Sequence, residues 1–162
     1  MALILSIESA TSICSVALHR DGEMLLLSEY DQENAHARQL MLLIEGIFKE
    51  LGMKPSDLAA VAVSSGPGSY TGLRIGISTA KGLCLAINKP LIAINTLQII
   101  AQAAKEQSTY SYYWPMIDAR RMEVYHCIFN AQLEEQFPMN NAILDQNDFF
   151  NQYTQYSSIA LC

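Results

Sequence analysis

The run Ser64-Ser65-Gly66-Pro67-Gly68-Ser69-Tyr70-Thr71-Gly72-Leu73-Arg74-Ile75-Gly76 joins a short apolar stretch, residues 60–63, to a segment with helical spacing. It concentrates four glycines and one proline at the join. Glycine reaches positive φ at little cost and lets another backbone come close. The junction therefore reads as a strand turning sharply into a helix whose first N–H groups and positive dipole end are free. An anion suits such a place, and so does a tightly packed neighbour. No Gly-Lys-Ser/Thr follows, which excludes a Walker A loop, and the spacing Gly66-x-Gly68-x-x-x-Gly72 is too long for the dinucleotide fingerprint.

Around this junction the chain alternates in a recognisable order. Residues 3–7 read as a buried strand and residues 14–20 as a strand alternating apolar and polar side chains. Asp21-Gly22 is a two-residue hairpin signal leading to a third strand, residues 23–30. From 34 to 51 the apolar residues Leu40, Leu43, Ile44, Ile47, Phe48 and Leu51 recur three and four apart, with Gly52 placed to end a helix. A turn at 54–57 and a strand at 58–65 lead into the glycine loop. The helix predicted over 71–87 carries Gly72, Gly76, Ala80 and Gly82. Glycine costs a helix about 1 kcal/mol relative to alanine, so close packing is expected to compensate. A strand at 91–94 and a helix at 96–105, capped by Asn95, complete the pattern. A meander followed by alternating helices and strands fits an α/β fold: a mixed sheet flanked by helices, as in ribonuclease-H-like and actin-like lobes.

Beyond residue 106 the composition turns aromatic. Strands are expected at 112–117 and 122–129 about a turn at Asp118-Ala119-Arg120-Arg121, then a helix at 146–153 and a strand at 157–161. The division expected is an N-terminal lobe over 1–106 and a partial second lobe over 107–162, incomplete because a strand stands at its end.

Net charge −6 and a pI near 4.9 argue against unaided nucleic-acid binding, which draws its affinity from clustered Lys and Arg. Cys14, Cys84, Cys127 and Cys162 show no CxxC spacing, and with no secretory leader they read as reduced thiols in a cytoplasmic protein. No apolar run reaches the roughly 18 residues of a membrane span. Glu8, Ser9 and Thr11 at the end of the first strand, with Gly66, Gly68, Ser69, Thr71 and Gly72, form a candidate phosphate or metal site. The structural alternative is a polar turn beside a packing loop, and a single carboxylate makes a poor magnesium site. His19, His36 and His126 have no partner at i+4. Asp118, Arg120, Arg121 and Glu123 read as a turn with local ion pairs. Ser64, Ser65 and Ser69 lack a Gly-x-Ser-x-Gly setting or a paired base.

Three segments, Ile4-Leu5-Ser6-Ile7-Glu8-Ser9-Ala10-Thr11, Ser65 through Gly76, and Ile117-Asp118-Ala119-Arg120-Arg121-Met122-Glu123-Val124-Tyr125, resemble the TsaB (YeaZ) family in content and order. The resemblance implies the actin-like ATPase superfamily fold and a role in forming threonylcarbamoyladenosine at adenosine 37 of transfer RNA. It implies an accessory subunit that is a degenerate paralogue of the catalytic TsaD. Such a subunit pairs with TsaD, is joined by TsaE, forms a homodimer when alone and meets tRNA only through the complex. ATP and magnesium then belong to the partner subunits. The family pairs through its first two helices, which implies partner-binding residues His36, Leu40, Met41, Ile44, Ile47 and Phe48 on one and Arg74, Ile77, Ser78 and Lys81 on the other. On the first helix Leu40, Leu43, Ile47 and Leu51 are expected to face inward, and Met41, Ile44 and Phe48 to form a second stripe. Two departures from the catalytic relative weigh against metal-dependent transfer by this chain. His36 is followed at i+4 by Leu40 where the relative has a second histidine, and Glu8 replaces the usual Asp. The alternatives are a nucleotide-dependent enzyme using Gly66, Gly68 and Gly72 with Glu8, and a glycoprotease-like hydrolase.

Overall fold

The computed structural model describes residues 1–31, 36–144 and 149–162, with the side chains of residues 36 and 37 left aside. The chain divides into two compact units, Met1–Ile94 and Asn95–Cys162.

In the first unit β1 (Leu3–Glu8), β2 (Ile13–Arg20) and β3 (Glu23–Asp31) form the antiparallel meander. They are followed by α1 (His36–Leu51), β4 (Ala60–Ser64), α2 (Tyr70–Ile87) and β5 (Leu91–Ile94). The sheet order is β3-β2-β1-β4-β5, with β4 and β5 parallel to β1. Alternation along the strands selects the helix-covered face. Leu3, Leu5 and Ile7, Val16 and Leu18, Val61 and Val63 pack with α1 and with Ala80 and Cys84 of α2. Each fully buried Leu or Ile contributes about 1.5–3 kcal/mol. Asp21 (φ 52°) and Gly22 (φ 91°) make the tight turn that their sequence predicts. Gly52 (φ 62°) ends α1, and Asn88 (φ 53°) caps α2.

The second unit contains α3 (Thr96–Gln107), β6 (Tyr112–Trp114), β7 (Met116–Arg120), β8 (Glu123–Asn130), β9 (Glu135–Ile143) and β10 (Ile159–Leu161). β6 and β7 pair in succession along β8, β9 pairs with it as well, and β10 runs parallel to β6. Alternate residues of β8 serve two clusters. Cys127 and Phe129 join Leu97 and Ala101 of α3, while Val124 and Ile128 join Trp114, Phe149 and Tyr153.

Several expectations need correction. The units divide at Ile94/Asn95 and not after residue 106, because α3 buries Leu97 and Ala101 against Tyr113, Cys127 and Phe129. The single strand expected at 112–117 is two, separated at Pro115, which has no N–H to give the ladder. β7 runs on to Arg120, so the turn lies later than expected. β9 was not foreseen. It tolerates Pro138 because it pairs with β8 alone. Of the helix expected at 146–153, residues 146–148 lie outside the described residues and Phe150–Tyr153 is a short 3-10 turn. Residues 34 and 35 of the expected first helix also lie outside.

The β7–β8 tip differs from the first hairpin. Arg120 (φ 69°), Arg121 (φ 54°) and Met122 (φ 65°) are three consecutive non-glycine residues in the left-handed region. Each costs roughly 1–2 kcal/mol relative to an ordinary backbone conformation.

Candidate functional site

The glycine loop closes on the chain itself. Ser69 caps α2, its Oγ accepting the Gly72 N–H at 3.3 Å, while the Ser69 N–H donates to the Ala10 carbonyl at 2.6 Å. The Ser9 hydroxyl, fully buried, donates to the Gly72 carbonyl at 2.9 Å. A Cβ on Gly72 would run into the Ser9 carbonyl oxygen, one on Gly76 into the Ser9 hydroxyl, and one on Gly68 would lie 2.5 Å from the Ala10 carbonyl oxygen. The glycines are therefore explained by contact: they let the start of α2 lie against the turn after β1.

The neighbouring polar groups are turned to local backbone. Glu8 Oε1 accepts the Ala10 N–H at 2.6 Å, and Thr11 Oγ1 donates to the Ile13 carbonyl at 3.3 Å. Glu8 Oε2 and Ser64 Oγ are buried and without a partner among the described residues, at the ends of neighbouring parallel strands. No cluster of three His, Cys, Asp or Glu forms among the described residues. The Ser69 and Gly72 N–H groups are committed, and the Ser9–Ala10 backbone lies directly against Gly68 and Gly72. These residues do not fit a nucleotide–magnesium group.

The two helices divide the predicted partner-binding residues. Leu40, Ile44, Ile47 and Phe48 are buried in their own unit, none more than 5% exposed. The second stripe expected on α1 is thus corrected: Ile44 and Phe48 belong to a wide inward face that a five-stranded sheet can cover. Ile77 is half-buried against the same core, and the His36 side chain lies outside the described residues. Met41, Arg74, Ser78 and Lys81 are exposed.

Leu42, Tyr70 and Leu85, which sequence reasoning missed, join this outer surface. Leu85 is 85% exposed and Met41 53%. The Arg74 guanidinium lies 4.0 Å over the Tyr70 ring. Thr71, Arg74, Ser78, Lys81 and Leu85 recur three and four apart, so they share one side of α2. Gly46 of α1 and Gly82 of α2 are exposed, and a Cβ at either meets nothing within 4 Å. Their helical phase, set against the buried positions, is the signal that would have found them.

The thiols of the second unit are held protonated by burial. Burial pushes the Cys127 thiol up to about 12, reinforced by Glu135. Cys162 is also raised by burial, as are Cys14 and Cys84 in the first unit. His126 is fully buried, accepts the Trp114 Nε1–H at 3.1 Å through Nδ1, and is held below its ordinary value by desolvation.

The meander, the parallel strands and the flanking helices define an α/β protein of the actin-like ATPase fold. The component A of (R)-2-hydroxyglutaryl-CoA dehydratase from Acidaminococcus fermentans shares that fold at a TM-score of 0.55 and 14% identity, over 86% of this chain and 48% of that one. YeaZ from Pseudomonas aeruginosa superposes at a TM-score of 0.77 with 32% identity, over 88% of this chain and 66% of that one. The family described as "TsaD: tRNA N6-adenosine threonylcarbamoyltransferase" matches residues 30–154. Similar curated proteins include the tRNA threonylcarbamoyladenosine biosynthesis protein TsaB of Escherichia coli, 38% identical over 75% of this chain and 52% of its own length. TsaB of Bacillus subtilis is 32% identical over 87% of this chain and 62% of its own length. The chain belongs to the TsaB (YeaZ) family. It spans between half and two thirds of the length of these curated relatives. No helix among the described residues is long and apolar enough to cross a membrane.

Proposed function

We propose that this chain is a non-catalytic accessory subunit in threonylcarbamoyladenosine formation at adenosine 37 of transfer RNA, and that it pairs with and activates a TsaD-type catalytic subunit. The observation that carries the reading is the outer surface of α1 and α2, where Met41, Leu42 and Leu85 are exposed beside two glycines with no internal packing role. A mid-helix glycine costs stability unless something approaches it, and here no described residue does. A helix of a partner fits against such positions, with methionine as an adaptable contact.

On this reading TsaE joins the pair, the chain forms a homodimer when alone, and tRNA is engaged only within the assembly, in the cytoplasm. ATP and magnesium act on the partner subunits. The residues of this chain that meet the partner are then Met41, Leu42, Arg74, Ser78, Lys81 and Leu85, with Gly46 and Gly82 as points of close approach. Sizing by light scattering tests it. The chain mixed with the TsaD protein of its own source elutes as a one-to-one heterodimer, and separate elution of the two would refute the reading.

A further inference from the structure

We propose that the β7–β8 tip, Arg120-Arg121-Met122, contacts the phosphate backbone of the RNA on which the assembly acts. The inference rests on the accessory reading above. The molecule contains its own control for this tip: the β2–β3 hairpin is closed by Asp21-Gly22, the residue pair suited to positive φ. At the β7–β8 tip three side chains are held in the same region with no glycine, and all three are exposed. Turn formation alone does not account for that choice, and strain of this kind gathers where side chains have work outside the fold.

The tip is also held firmly. The Asp118 carboxylate accepts the Arg120 N–H at 2.7 Å, Arg120 pairs with Glu123 in the ladder, and the Met122 carbonyl accepts the Leu144 N–H at 2.7 Å. Asp118 is thereby turned to backbone, and no ion pair or side-chain hydrogen bond engages either guanidinium among the described residues. Two adjacent exposed arginines, engaged by no described side chain, thus stand on a hydrogen-bonded turn in a chain of net charge −6. A body of that charge repels a polyanion except where cations protrude beyond it. Guanidinium groups pair with phosphate oxygens through two hydrogen bonds, as they do with carboxylates, and a nucleic-acid backbone offers such oxygens at a regular close spacing that suits two adjacent cations.

The test uses the full chain together with its TsaD partner and an unmodified tRNA transcript, read by fluorescence anisotropy across a salt series. Substituting both arginines (R120Q with R121Q) is expected to lower the slope of log affinity against log salt by roughly 1.5, the loss of about two phosphate contacts. R120K with R121K is expected to retain most of the slope. Equal slopes for wild type and the glutamine variant would overturn the proposal. So would loss of pairing with TsaD by a glutamine variant whose circular dichroism is unchanged, because the tip would then be reading a protein surface. Failure of the wild-type chain to pair at all is seen separately, in its elution. That result would sink the accessory reading and this proposal with it.

Discussion

Two pairs of glycines, one on α2 alone and one divided between α1 and α2, differ in what surrounds them. Gly72 and Gly76 face β1, where a Cβ would collide with Ser9, and the chain's own packing explains them fully. Gly46 and Gly82 face outward, where a Cβ would meet nothing. The difference teaches that the conspicuous loop shapes the fold, whereas the inconspicuous glycines, which no described residue packs against, belong to the surface that the proposed pairing would use.

The largest effect should come from the inner set. Gly72→Ala forces a methyl group into backbone that cannot yield, and overpacking of this kind costs about 3 kcal/mol. Urea unfolding should show it as a lower midpoint with an unchanged slope. Gly76→Ala meets a side-chain hydroxyl instead, so adding Ser9→Ala should restore part of the loss, while the same second change should not help Gly72→Ala. Equal rescue of both would break the assignment of the two contacts.

A smaller effect separates the two units. The unfolded chain protonates His126 near the ordinary imidazole value of about 6.5, whereas burial lowers that value in the folded unit. The unfolded state therefore binds more protons between the two values. Stability is full above about pH 6.5 and falls as the pH drops through that range toward the lowered value. Trp114, the chain's single tryptophan and the hydrogen-bond partner of His126, reports the change by fluorescence. His126→Phe should remove the pH dependence. Glycines on neither face of α1 or α2 should alter it, since their neighbours lie in the other unit.

Much of this arrangement was legible in the residues. Asp21-Gly22, the α1 spacing and the strand–loop–helix around Gly66 each combine a local conformational demand with a hydrophobic period, and the two agree. The failures have physical causes. Period alone cannot say whether Leu40, Ile44, Ile47 and Phe48 serve one wide buried face or two surfaces, because the width of the sheet beneath them decides that. No element is read from sequence over β9, since Pro138 and Asn140-Asn141 interrupt the apolar pattern of Phe137 and Met139; its existence depends on pairing with β8. The start of α3 was seen, but its allegiance was not, because Leu97 and Ala101 would suit either sheet until the structure placed them beside Tyr113. Within the candidate site, sequence located the glycines and could not give the direction each one faces.

The outer surface itself gives the most direct measurement. Gly46→Ala and Gly82→Ala should each raise the stability of the isolated chain by about 0.5–1 kcal/mol, the ordinary gain for an exposed helix position. Isothermal calorimetry with the TsaD partner should show the doubly substituted chain binding at least tenfold more weakly, about 1.4 kcal/mol, despite its greater stability. Unchanged affinity in a stabilised chain would contradict the claim that these helices dock through their outward glycines.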